Sequence, residues 1–179
     1  MRCFVALPLP AALQVLAERL QIGLPVGRPV APAQLHVTLA FLGDQPDDRL
    51  EALHDGLCAI RMAPVLVQIT GMGVFGGDKP RLIIADVAPD PGLLALQQAV
   101  AGAARQAGIR LERRRFHPHI TLARINGRLS APEMGALHGV MAAHAGAQAQ
   151  GLVPEFTLYR SDLGPKGARY DSLASYPLG

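Results

Sequence analysis

The chain has 179 residues, half of them apolar, and a modest formal charge of +3, so it can bury a core without disulfides. Its two cysteines, Cys3 and Cys58, show no metal-ligand spacing and no secretory framework, and are expected to be buried free thiols of a reducing cytoplasm. No apolar run is long enough for a membrane-spanning helix, and Pro8 and Pro10 interrupt the first residues too early for a signal peptide.

Residues 3–7 form an apolar run closed by those prolines and read as a strand. Over 11–20, Leu13, Leu16, Ala17 and Leu20 recur at helical spacing and predict an amphipathic helix. A loop rich in Gly and Pro leads to Leu35-His36-Val37-Thr38-Leu39-Ala40, a strand that Phe41, Leu42, Gly43 and Asp44 close with a turn. The stripe Leu50, Leu53, Leu57 and Ile60 predicts a second helix over 47–60, with Asp47 or Asp48 able to cap it. His54 lies one position off that stripe and is expected on the helix surface.

Residues 65–70 and 82–87 read as strands. The glycine-rich stretch between them joins strand to strand through Lys79, Pro80 and Arg81, so it predicts a hairpin connection and not a phosphate loop, which requires a helix N-terminus. A third helix is predicted over 91–108 and a fourth, rich in alanine, over 131–145. His138 and His144 in the fourth are six apart and do not share a face at metal-pair spacing. The alternating segment 153–161, a turn at 164–168 and the strand 169–174 predict a closing hairpin.

The stretch that carries chemistry is Arg114-Arg115-Phe116-His117-Pro118-His119-Ile120-Thr121-Leu122-Ala123-Arg124, a longer version of the segment at 35–40. Both contain His, apolar, Thr, apolar. In a strand, alternate side chains share a face, so each copy turns an imidazole and a hydroxyl to one side and anchors itself by the other. Two such strands side by side would make a site with two acid/base groups, two hydroxyl donors and no carboxylate, an inventory suited to a phosphate. Arg110, Arg113, Arg114, Arg115 and Arg124 bracket the second copy and point to an anionic partner, because arginine's planar fork binds phosphate and stacks on bases. One neutral imidazole could take a proton from water while the other donates to a leaving oxygen; the symmetry of the copies leaves open which does which. His117 is expected to flank the site, holding His119 or its strand by a hydrogen bond. The ligand-poor surroundings argue against a metal.

These motifs resemble the 2H phosphoesterase superfamily, and within it the RNA 2',3'-cyclic phosphodiesterases formerly called 2'-5' RNA ligases. The likeness rests on His36-Val37-Thr38-Leu39 with its extension to Gly43 and on residues 116–124. Residues 2–7, 79–82 and 156–161 also resemble the family's framework. The resemblance implies an α+β fold of two lobes, with two antiparallel sheets lining a central cleft and helices packed outside. It implies one bilobed domain over 1–179, its pseudo-duplicated halves each supplying one His-x-Thr strand. It also implies hydrolysis, without metal or cofactor, of a terminal 2',3'-cyclic phosphate on RNA to a 2'-phosphomonoester. By the same resemblance His36 would be the proton donor, His119 the acceptor, and Thr38 and Thr121 the phosphate holders. Arg124, Phe116, Arg115 and Tyr159 are candidate substrate contacts. The expected partner is an RNA end, in the cytoplasm, with no membrane and no obligate protein partner. Ligation to a 2'-5' bond is a possible side activity. The rivals are a phosphodiesterase for a small cyclic nucleotide or a 2'-5' oligonucleotide, and a non-catalytic RNA-binding module.

Overall fold

A computed structural model describes residues 1–113, 115–164 and 167–179. Arg114 of the arginine cluster, and Pro165 and Lys166 of the predicted closing turn, lie outside the described residues.

Among the described residues nine strands and four α-helices follow in the order β1 (Arg2–Pro8), α1 (Ala11–Gln21), β2 (Arg28–Pro29), β3 (His36–Asp44), α2 (Asp47–Cys58), β4 (Val65–Phe75), β5 (Leu82–Val87), α3 (Pro91–Gln106), β6 (His119–Arg124), α4 (Ala131–Ala143), β7 (Ala149–Val153), β8 (Glu155–Gly164) and β9 (Gly167–Pro177). The class is α+β, as expected. The two expected sheets are hydrogen-bonded into one, in the order β7-β4-β5-β6-β3-β1-β8-β9, with β2 added beside β6. They meet at the β3–β6 seam, where the register records the single pair Val37 opposite Ile120.

The seam is short because β2 occupies part of the same edge of β6. Arg28 stands opposite Arg124 and Pro29 opposite Ala123, and the Val30 amide donates to the Leu122 carbonyl. The Gln21 side-chain amide, from α1, fastens both strands by donating to the carbonyls of Val30 and Leu122, each at 2.8 Å. Nothing in the Gly/Pro-rich loop announced this two-residue strand.

Sequence patterning accounts for most of the rest. β1 is buried along Cys3 to Leu7 because it runs between β3 and β8. Leu13, Leu16, Ala17 and Leu20 are the buried face of α1, and Leu50, Leu53 and Leu57 that of α2. Each such leucine contributes roughly 1.5–3 kcal/mol by leaving water. No side chain caps α2; Pro46 stands at its N-cap, and Asp47 and Asp48 lie in the first turn, where the helix dipole favours them. Asp90 caps α3, accepting from the amides of Gly92 and Leu93, and Ser130 with Glu133 forms a capping box on α4.

Three further expectations change. β4 continues through the glycines to Phe75, so only the connection at 76–81 is a loop, and β4 and β5 pair as the predicted hairpin. β7, paired with β4, takes Val153 out of the closing hairpin. Cys3 is buried, but Cys58 is exposed, because it falls one position beyond Leu57 and off the apolar stripe of α2. Among the described residues no helix is long and apolar enough to cross a membrane.

Candidate active site

The seam places the two His/Thr copies. Val37 and Ile120 are fully buried and anchor it from one face. Carried one residue either way, the antiparallel register sets Thr38 across from His119 and His36 across from Thr121. All four side chains lie on the opposite, half-buried face.

Each imidazole is held in the same way. His36 Nδ1 donates to the Gln34 carbonyl at 2.7 Å, and His119 Nδ1 donates to the His117 carbonyl at 2.8 Å. A carbonyl can only accept, so Nδ1 carries the proton and Nε2 is the acceptor nitrogen of both neutral rings. Thr38 Oγ1 lies 3.1 Å from His36 Nε2 and donates to it while the ring is neutral. Burial pushes the His36 pKa down to about 4, helped by the nearby charges of His119 and Arg124 and opposed by the Gln34 carbonyl. The ring is therefore neutral at pH 7.

Aromatic rings frame both histidines. Phe4 lies 4.9 Å from the His36 ring, and Tyr170 meets it edge-on at 5.5 Å. Tyr159 stacks on Phe4 at 5.2 Å and lies 6.5 Å from His36, and burial raises its pKa. These residues and Gln34 line a cavity of about 430 Å³ beside His36. At the second copy Phe75 sits edge-on to His119 at 4.7 Å and to His117 at 5.1 Å. His117 Nε2 lies 3.2 Å from the Asp86 carboxylate.

Of the other predicted contacts, Tyr159 lies in the His36 wall. Arg124 is exposed at the end of β6, between Arg28 and Leu82, and its charge reaches His36. Arg115 is exposed, and Phe116 is half-buried against the core. Among the described residues no group of three or more His, Cys, Asp and Glu is gathered to hold a metal ion.

The sequence reading missed Phe4, Phe75, Asp86, Gln34 and Tyr170. In the sequence Phe4 reads as one more apolar residue of a buried run, and Phe75 falls in the glycine-rich stretch that reads as a connection. Asp86 carried a signal, being the one charged residue in the strand Leu82-Ile83-Ile84-Ala85-Asp86-Val87.

Comparison with known proteins adds to this geometry. A family model described as the 2'-5' RNA ligase superfamily matches residues 8–165. The RNA 2',3'-cyclic phosphodiesterase of Geobacillus stearothermophilus is 33% identical over 98% of this chain, which spans only 56% of that protein. The RNA 2',3'-cyclic phosphodiesterase of Escherichia coli (strain K12) is 32% identical over 99% of this chain and 96% of its own. Among solved structures, E. coli LigT complexed with 3'-AMP is similar with a TM-score of 0.80 at 29% identity, covering 99% of this chain and 97% of that one.

Proposed function

Because the chain belongs to the 2'-5' RNA ligase superfamily, we propose that it opens the 2',3'-cyclic phosphate at an RNA end, leaving a 2'-phosphomonoester and a free 3'-hydroxyl. The observation that supports this reading is the seam register, Val37 opposite Ile120, which carried one residue either way sets His36 and Thr38 across from Thr121 and His119 on one face of the sheet. The names of the relatives and the 3'-AMP held by LigT support the choice of substrate. The orders β1-α1-β3, interrupted by the two-residue β2, and β5-α3-β6, each ending in His-x-Thr, support one bilobed unit of duplicated halves.

In the reaction a water oxygen bonds to phosphorus as the P–O3' bond breaks. His119 Nε2 takes the water proton, and His36 Nε2 gives a proton to O3'. Thr38 and Thr121 donate to the non-bridging oxygens as phosphorus becomes five-coordinate. His36 must be charged to act as the acid, and the cyclic phosphate supplies the means: an anion beside Nε2 favours the imidazolium against burial. Once Nε2 carries a proton it cannot accept from Thr38, whose hydroxyl turns to the phosphate. The cavity beside His36 has room for one nucleoside, with Tyr159 and Tyr170 as ring surfaces for the base. An RNA 5'-hydroxyl in place of water would give the 2'-5' bond as a side reaction.

The depressed His36 pKa favours a second reading in which the roles are exchanged, since a base needs no recharging. A cyclic phosphate with sulfur in place of O3' separates the two, because a thiolate leaves without a proton. It should restore turnover to His36→Ala and not to His119→Ala; the converse would exchange the roles. The primary test is incubation with a short RNA ending in a 2',3'-cyclic phosphate, with EDTA present, read by phosphorus NMR. A 2'-phosphate product is expected. A 3'-phosphate would reverse the leaving group, turnover only of a small cyclic nucleotide or a 2'-5' oligonucleotide would change the substrate, and binding without turnover would leave an RNA-binding module.

A further inference from the structure

The two carbonyls that orient the catalytic imidazoles belong to Gln34 and His117, each two residues before its histidine. Both lie just outside the strands, since β3 begins at His36 and β6 at His119, so the sheet ladder does not reach them. In each case the side chain of the same residue is tied down. The Gln34 side-chain amide donates to the Ala168 carbonyl of β9, and His117 Nε2 meets Asp86 Oδ1 of β5 at 3.2 Å.

We propose that Asp86 and His117 are a positioning pair that fixes the tautomer and aim of His119, with Gln34 as the counterpart at His36. The proposal rests on the reading that His119 moves a proton through Nε2.

Three observations carry it. Asp86 stands directly opposite His119 in the β5–β6 ladder, yet its carboxylate reaches the residue whose carbonyl holds that ring. Gly73 of β4 leaves the room this requires: a Cβ there would come within 2.9 Å of Asp86 Oδ2 and 3.3 Å of Oδ1. Phe75 packs edge-on against both His117 and His119, so the His117 ring has a wall on one side and a carboxylate partner on another. The side chains of His117 and Asp86 are 56% and 34% exposed, so their contact adds little to stability. Its loss should register as misaligned chemistry and not as unfolding.

The test compares Asp86→Ala, Asp86→Asn, His117→Ala and the double alanine variant by kinetics and by nitrogen-15 NMR of the imidazoles. In the wild-type protein His119 should be the Nδ1–H tautomer. Asp86→Ala should mix the tautomers and lower kcat by about tenfold, less than the roughly 10²-fold of a 1 Å misplacement, with KM within about twofold. Asp86→Asn, which keeps an acceptor at the same reach, should restore both signals. The double variant should lose no more than either single one, as two residues acting as a unit do. An unchanged kcat, a loss confined to KM, a lower kcat with the His119 tautomer intact, or additive losses would each overturn the proposal. The tautomer is read without turnover. An inactive wild-type protein would therefore count against the proposed reaction, while the imidazole spectra would still decide the positioning.

Discussion

Replacing His36 by glutamine should flatten the acid side of the protein's stability curve. Its pKa falls from an ordinary 6.5 to about 4 on folding, chiefly through burial. Between those values the unfolded chain holds a proton that the folded chain does not, so stability falls as pH drops below about 6.5 and the loss is complete near 4. The full difference is about 3 kcal/mol, of which about 2 kcal/mol is lost by pH 5. For a chain of this size that corresponds to a fall in Tm of about 4–8 °C. Calorimetric melts of both proteins at pH 7 and pH 5 isolate it, because every other titrating group is common to the pair and the variant's own stability at pH 7 cancels. Wild type should lose about 2 kcal/mol more than His36→Gln on acidification. Equal losses would mean that the folded ring titrates normally, and would refute the account of a neutral, buried His36.

Substituting His119 with Asn should lower kcat by about 10²–10⁴-fold, the usual range for general acid–base catalysis, with an unchanged melting curve. Thr38→Val and Thr121→Val should each cost on the order of 10²-fold in kcat with a smaller change in KM, as lost donors to a developing charge do; equal loss of binding and rate would make them ground-state contacts. Tyr170→Ala should raise KM by about tenfold or more for an RNA end, because one base stacked on an aromatic ring contributes about 1–3 kcal/mol; an unchanged KM would remove the cavity beside His36 from substrate binding. Phe156→Ala tests the core separately. Phe156 is fully buried and stacks on Tyr176 at 4.9 Å, so denaturant melts should show a loss of about 3–5 kcal/mol, with kinetics at low temperature unaltered.

The parts that could be read from sequence are those in which a local pattern decides the outcome. The helical stripes of α1 and α2 and the alternation His36-Val37-Thr38-Leu39 need only burial of one face to be realised, and they were realised. The glycine-rich end of β4 reads as a loop in sequence and is a strand because propensity there gives way to pairing: β5 supplies a ladder that glycine accepts, and Gly73 is needed small by its neighbour Asp86. β2 was invisible because two residues have no periodicity, and it exists only because β6 offers an edge. The site divides in the same way. His36, Thr38, His119 and Thr121 repeat in the chain and could be matched as a pair, whereas the surrounding walls come from β1, β4, β8 and β9. Phe4 and Tyr170 become neighbours of His36 only through the pairings of β1 with β3 and of β8 with both β1 and β9.

Those pairings also bear on the order in which the molecule assembles. β1 is held on one side by β3, close behind it in the chain, and on the other by β8, with Cys3 opposite Arg160. β1 thus waits for a partner far along the sequence, the kind of distant contact that slows folding and leaves an unpaired edge exposed meanwhile. While the chain emerges from the ribosome, β1 and β3 can pair and His36 can take its place in the strand, but the ring stays open to water until β8 and β9 arrive. The depressed basicity of His36 is therefore acquired only once β8 and β9 have joined the sheet.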